Sequence, residues 1–280
     1  MLRIVQRLAM ALTIFSTTGA STAQTTVDGV LARLKGKPLF LRGMYGENKL
    51  SFDSAGKPLQ PYKPAPFTEA AMDVSSVKLK SNQLHIEGWR MGLQFNAKGV
   101  ARRVPVEAAN YSGKIQIDIH GALGTDYGPA LDAIFAPDLA SLTPSLPSYW
   151  QPFAIAHFAG PGNTPASASG STDPGAKPQS VTADEPIQID GSVKPPKVLK
   201  SQAAEYTPIA AAAALSGQVK VSVWLLKDGT ATDVYIVKAL GLGLDEAALA
   251  ALQKYKFSPA TQYGKPVKVH LYIDVNFETR

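Results

Sequence analysis

The chain has no cysteine among its 280 residues. That excludes disulfide cross-links and zinc sites built on thiolates. It has only four histidines, His85, His120, His157 and His270, and no two stand at metal-ligand spacing. His85 and His120 fall in expected strands, where a solvated or hydrogen-bonded ring is the plain reading. There is no Gly-x-Ser-x-Gly, no P-loop and no zinc signature. Gly241-Leu242-Gly243 lacks the third glycine and the phosphate-binding context of a nucleotide fingerprint. Asp126, Asp132 and Asp138 flank an expected short helix, and capping accounts for Asp126. The sequence thus gives no support for an enzyme, a metal or a cofactor. Charge of one sign is also not concentrated. The formal net charge is +6, but the basic residues are scattered and no aromatics interleave with a basic run. Nucleic acid is excluded as a partner on that ground.

Long apolar runs are missing too. Leu8–Phe15 is apolar, but Ser16, Thr17, Thr18 and Gly19 interrupt it. It falls well short of the ~20 residues of a membrane-spanning helix. Arg3 and Arg7 precede it and Ser21-Thr22-Ala23 follows, so residues 1–23 read as a secretory signal peptide. The alternative is an inner-membrane anchor through an uncleaved N-terminus. The remainder suffices for two domains of ~100–150 residues each, and its positive surface would favour anionic envelope components.

One composition break divides it. Residues 159–200 are rich in Pro, Gly and Ser and poor in core-forming residues. They read as a linker, in which Pro186–Asp190 alternates as a short extended piece. Before it, residues 27–158 read as mostly β. Leu39–Met44 and Lys49–Phe52 are extended, and Asp53-Ser54-Ala55-Gly56 is a turn by composition. Val74–Lys80, Ser81-Asn82 and Leu84–Trp89 form a hairpin, and Met91–Phe95 is a further strand. Ile115, Ile117 and Ile119 share one strand face. Tyr127–Phe135 reads as a short helix. Pro137–Pro152 reads as a proline-rich wrap, packed by Tyr149, Trp150 and Phe153. A small antiparallel sandwich or barrel is the expected architecture. No family resemblance attaches to this half.

Residues 201–280 change character. Gln202–Leu215 is alanine-rich around Pro208 and predicts a short helix, with Gly217 as its C-terminal cap. A first strand puts Val219, Val221, Val223 and Leu225 on one face. Asp228-Gly229 predicts a tight primed turn, and a second strand runs from Thr230 to Lys238. Leu244–Tyr255 predicts a helix with Leu244, Ala248, Leu252 and Tyr255 in one stripe. Asp245 and Glu246 lie in its first turn and Lys254 and Lys256 at its end, matching the helix dipole. A third strand alternates over its length. Val267, Val269, Leu271, Ile273, Val275 and Phe277 face inward, and Lys268, His270, Tyr272, Asp274 and Asn276 outward. A right-handed crossover puts the strands in the order 2-1-3, antiparallel throughout, with a free edge on the third. The fold class is α+β.

The ordered set Tyr206, Gly217-Gln218-Val219, Asp228-Gly229, Leu244-Asp245-Glu246-Ala247-Ala248, Tyr255-Lys256-Phe257-Ser258-Pro259-Ala260 and Gly264-Lys265-Pro266-Val267 resembles the C-terminal domain of the TonB family. It departs in Thr207, where the family has proline, in the alanines that replace a basic residue of the first helix, and in Tyr255, where the corner usually has Trp. The resemblance implies a non-enzymatic periplasmic protein that binds extended peptides of an outer-membrane TonB-dependent receptor, or of another envelope protein. Binding would be by β-augmentation, with Tyr206, Lys268, His270, Tyr272, Asp274 and Asn276 as the partner-facing residues. It further implies energy transduction in transmembrane transport with an ExbB–ExbD-type motor. That coupling uses a membrane helix bearing a His, and Leu8–Phe15 has neither the length nor the residue. A free edge also admits a homodimer. The alternative function is an exported ligand- or polymer-binding protein in which this module is a structural or dimerisation domain.

Overall fold

The computed structural model describes residues 27–106, 113–122, 124–158, 189 and 191–279. The expected signal peptide lies outside the described residues, as do residues 159–188 and 190 of the expected linker. Among the described residues no helix is long and apolar enough to cross a membrane.

The N-terminal half comprises α1 (Val27–Leu34), β1 (Leu39–Leu41), β2 (Lys49–Phe52), β3 (Ala71–Lys80), β4 (Gln83–Phe95), β5 (Ala101–Pro105), β6 (Lys114–His120), α2 (Gly128–Ile134), β7 (Phe135–Ala136), α3 (Leu139–Leu142) and α4 (Gln151–Phe158). Its strands form one sheet in the order β2-β6-β4-β3-β1-β7, with β5 also on β4. The expectation of an antiparallel sandwich or barrel is corrected here. The described residues of this half form one sheet, and β2 pairs with β6 in parallel. The alternating apolar face of Ile115, Ile117 and Ile119 did require a cover. Helices supply it: Val30 and Leu34 of α1 and Leu131 and Ile134 of α2 pack there. A strand's buried face demands apolar area over it and does not dictate whether sheet or helix provides it.

The β3–β4 hairpin turns at Ser81-Asn82, both with positive φ (45° and 65°). This is the primed geometry that follows strand twist. The separate strands expected at 84–89 and 91–95 are one strand, and its length lets β4 serve two cores. Leu84 and Ile86 face α1 and α2, whereas Leu93 and Phe95 on the other face join the cluster around Trp150. The segment expected as a proline-rich wrap is partly helical, and its Trp150 is fully buried against Phe67, Phe95 and Phe153. Asp126, Asp132 and Asp138 do different things. Asp126 accepts from Gly128 N at 2.9 Å, Asp132 pairs with Arg33, and Asp138 caps α3 by accepting from Ser141 N at 2.7 Å.

The C-terminal half comprises β8 (Val193–Lys194), β9 (Val198–Lys200), α5 (Pro208–Ala212), β10 (Gly217–Leu225), β11 (Ala231–Lys238), α6 (Leu244–Leu252), β12 (Lys256–Phe257), β13 (Ala260–Gln262), β14 (Lys265–Val267) and β15 (Val269–Phe277). The main sheet runs β11-β10-β15, antiparallel at both joins. β8 pairs with β13 and β9 with β12, so residues 193–200 of the expected linker are built into this half. Several boundaries differ from expectation. α5 ends at Ala212, and Ala214 beyond it takes the left-handed conformation (φ 47°), while Gly217 opens β10. At the hairpin only Gly229 has positive φ, and its N–H donates to Leu226 O at 3.0 Å. That is a type I turn followed by a left-handed glycine, not the primed pair. α6 stops at Leu252, and the third strand breaks at Lys268 into β14 and β15.

The two halves share a core. Phe67, Phe95, Trp150 and Phe153 of the first pack with Ile236, Leu240, Leu242 and Leu244 of the second. Backbone joins them as well. Phe95 N donates to Leu240 O at 2.9 Å and Leu242 N donates to Leu93 O at 3.0 Å. Gly241 makes this approach possible. Its φ is 100°, and a Cβ there would lie 1.9 Å from Leu93 O.

Candidate functional site

Among the described residues β15 is the open edge of the C-terminal sheet, since it pairs there with β10 alone along its whole length, from Gly217↔Phe277 to Leu225↔Val269. The other outer strand, β11, is paired to β10 through two register shifts and packs against α4 and the turn Ser148–Trp150. An edge strand presents a row of unpaired N–H and C=O groups, a template for another chain.

Alternation sorts the side chains of β15 between two faces. The outward row interlocks with the outward row of β10. His270 Nε2 lies 2.7 Å from Ser222 Oγ, and its ring sits 4.9 Å from Trp224 and 4.8 Å from Tyr272. Burial pushes the His270 pKa down, which favours the neutral ring. Lys268 places Nζ 4.9 Å from the centre of Trp224, a cation–π contact. Asp274 pairs with Lys220 at 3.6 Å, and Asn276 Oδ1 accepts from Gln218 Nε2 at 3.2 Å. Tyr272 is 52% exposed. Five of the six residues expected to face a partner therefore stand together. Tyr206 stands apart from them: its hydroxyl donates to Leu215 O, and its ring meets Phe277 edge-on at 5.9 Å. Trp224 and Ser222 belong to the outward surface and were not singled out from sequence, although the alternation of β10 places them there.

The inward row is unevenly covered. Val269, Val275 and Phe277 are buried, but Leu271 and Ile273 are only half-buried. Ile273 lines a cleft of about 630 Å³ between the sheet and α6, walled by Val223, Val234, Leu249 and Leu252.

A second constellation lies where the halves meet. Asp245 and Glu246, read from sequence as first-turn acids that match the helix dipole, face the junction of the halves, Asp245 buried and Glu246 half-buried. Asp245 is fully buried and accepts from Leu240 N at 2.9 Å and Gly241 N at 2.7 Å. Glu246 Oε1 accepts from Trp150 Nε1 at 2.9 Å. Gly243, before α6, donates to Thr68 Oγ1 at 2.9 Å, and the Glu69 carboxyl lies beside it. Burial raises the pKa of all three carboxyls, and Glu69 is pushed up to about 7. Buried Arg90 donates to Glu69 O and Glu47 O and fixes this turn. These contacts join the two halves, and Glu246 also lines the cleft beside α6. Among the described residues no group of three His, Asp or Glu side chains could hold a metal ion.

Comparison with known proteins agrees with the sequence resemblance. Residues 202–279 match the family of the Gram-negative bacterial TonB protein C-terminal. A Protein TonB of Vibrio cholerae serotype O1 is 31% identical over 108 residues, which are 38% of this chain and 43% of that protein. The chain thus spans less than half the length of that relative. Among solved structures, the solution NMR structure of the Pseudomonas aeruginosa TonB CTD is similar at 22% identity, with a TM-score of 0.25, over 35% of this chain and 99% of that one. The match to the TonB C-terminal family thus lies on residues 202–279, the part of the chain that holds the sheet β11-β10-β15 and helix α6.

Proposed function

We propose that the protein is a non-enzymatic component of the bacterial cell envelope, acting in the periplasm. It captures an extended segment of an outer-membrane TonB-dependent receptor as an added strand on β15. The observation that carries this reading is the edge itself: β15 has nine residues and, among the described residues, a strand partner on one side only. Main-chain hydrogen bonds would supply affinity, and alternate side chains specificity. The docked N-terminal half favours the reading, because it packs against β11 at the opposite side of the sheet. Coupling to an ExbB–ExbD-type motor would make such capture part of energised transport.

The experiment is a backbone-amide titration of the full chain with peptides from the plug of such a receptor. Saturable shifts along Val269–Phe277 are the expected result. Shifts that leave this strand untouched would sink the proposal.

The shared core favours a second reading. Here the N-terminal half binds an envelope ligand or polymer, and the C-terminal domain braces it or pairs two copies. It predicts envelope partners that remain bound after the β15 edge is blocked.

A further inference from the structure

The N-terminal sheet turns one face to α1 and α2, over Leu84, Ile86 and the three isoleucines of β6. Alternation puts His85, Glu87 and Trp89 of β4 on the opposite face. Trp89 stands between Asp73 of β3 and Lys114 of β6, Glu87 beside Gln116, and His85 beside Asp118. The polar groups of this row are fastened to one another. His85 Nδ1 meets Asp118 Oδ1, and its Nε2 lies 3.4 Å from Glu87 Oε1. Ser76 Oγ donates to Glu87 Oε2 at 3.2 Å, and Gln116 Nε2 donates to Asp118 Oδ2 at 2.9 Å. The bonds from His85 and Ser76 hold the Glu87 carboxyl below its ordinary range, which keeps it ionised. A carboxylate offers about four lone-pair sites, more than these contacts use.

Trp89 is unlike the other two tryptophans. Trp150 is fully buried, and Trp224 carries Lys268 over its ring. Trp89 is 48% exposed in the middle of a polar row. Packing does not call for an indole there, and its apolar area is left in water at a cost. The surroundings select among partners. β3 and β6 occupy both sides of β4 at this point, so no strand can be added. One ring is not the broad apolar patch that a lipid surface or an amphipathic helix needs. Asp73, Glu87 and Asp118 repel phosphate groups. A pyranose ring supplies what this row lacks: a face of C–H bonds to lie on the indole, and a rim of hydroxyl donors for the carboxylates.

We propose that this face of the N-terminal sheet, centred on Trp89, binds an extended uncharged glycan of equatorially linked pyranose rings. The proposal rests on the second reading above, in which the N-terminal half binds an envelope ligand or polymer, and names the chemistry of that ligand. One ring stacks on Trp89 and the chain follows β4 toward His85, a run of about 14 Å at the rise of a strand. Hydroxyls of successive rings donate to Glu87 and then to Asp118, and hydrogen bonds to ionised acceptors are the stronger kind. His85, Ser76 and Gln116 already hold these carboxylates in place, so little side-chain freedom is lost on binding.

The test titrates the full chain with cellohexaose and follows the Trp89 indole N–H and the backbone amides of Lys114–Asp118. Saturable shifts at both are expected. Maltohexaose, the same sugar in a curved linkage, should bind more weakly. Trp89→Ala should weaken cellohexaose binding by up to about tenfold, the worth of a stacked ring. Its urea midpoint should stay close to that of the parent, because the ring is half exposed. Glu87→Gln, which keeps the shape and removes the charge, should weaken binding as well. The glycan is overturned if cellohexaose moves neither set of signals, if it binds no better than maltohexaose, or if Trp89→Ala binds it equally well. A separate measurement judges the underlying reading: cosedimentation of the full chain with cell-wall material under excess receptor-plug peptide. Retention there without cellohexaose binding removes only the glycan. Loss of both retention and cellohexaose binding takes that reading down too.

Discussion

Trp150 Nε1 donates to Glu246 Oε1 at 2.9 Å, joining an indole of the N-terminal half to the first turn of α6 in the C-terminal domain. Trp150 is fully buried in the shared core, and Glu246 is half-buried beside it at the cleft wall. Trp150→Phe keeps most of the ring and removes the donor. It should cost about 1–3 kcal/mol, the penalty of a buried acceptor left without its bond. Urea denaturation at pH 7 measures it. A loss below a few tenths of a kcal/mol would show that the bond does not hold the halves together.

The carboxyls at this junction set a pH dependence. Burial lifts Glu69 to about 7, with Arg90 opposing and Glu246 adding to the rise. An unfolded Glu titrates near ~4.3. Between those values the folded chain binds more protons than the unfolded one, so stability falls as pH rises. The contribution is complete below about pH 4 and gone above about pH 7. Asp245 and Glu246, also raised by burial, act in the same direction. The urea midpoint should be higher at pH 5 than at pH 8, and Glu69→Gln should shrink the difference. A midpoint that climbs from pH 5 to pH 8 contradicts this.

Gly241 is the point of closest backbone approach between the halves. Gly241→Ala combines a positive φ with a Cβ driven onto Leu93 O. The expected cost is about 3 kcal/mol or more, from strain and overpacking together. Hydrogen exchange at the Phe95 and Leu242 amides should quicken selectively, because those are the bonds the new methyl separates. Protection unchanged at both would mean the halves adjust without parting.

Much of the C-terminal domain was legible in the sequence, because there the local signals agree with one another. Val219 to Leu225 alternates cleanly, Asp228-Gly229 marks the turn, and Leu244, Ala248 and Leu252 make one helical stripe. The N-terminal sheet was legible strand by strand but not in its layering. Ile115, Ile117 and Ile119 announce a buried face without saying that α1 and α2 cover it. The join between halves was hidden for a related reason. Asp245 and Glu246 are ordinary first-turn acids by position; the donor to Glu246 is Trp150, remote in sequence, and Asp245 accepts from Leu240 and Gly241, the segment whose backbone bonds Leu93 and Phe95.

Tyr206 marks the limit of reading a site from a motif. Its hydroxyl bonds Leu215 O and its ring abuts Phe277, which places it beneath the end of β15 and away from the outward row. Tyr206→Phe should lower stability by about 0.5–1.5 kcal/mol and leave peptide affinity at the edge unchanged. Parallel urea and peptide titrations of the one variant decide it. A large loss of affinity with stability intact would return Tyr206 to the binding surface.

The ladder between β10 and β15 runs through nine residue pairs without a register shift, whereas that between β10 and β11 is interrupted twice. Tension applied along a strand bound to β15 would act parallel to β15 and load all the β10–β15 bonds at once, in shear, where no single bond must yield first. The same pull on β11 would meet bulges from which separation could spread. Mechanical resistance to such a pull is thus greater at the β15 side of the sheet than at the β11 side.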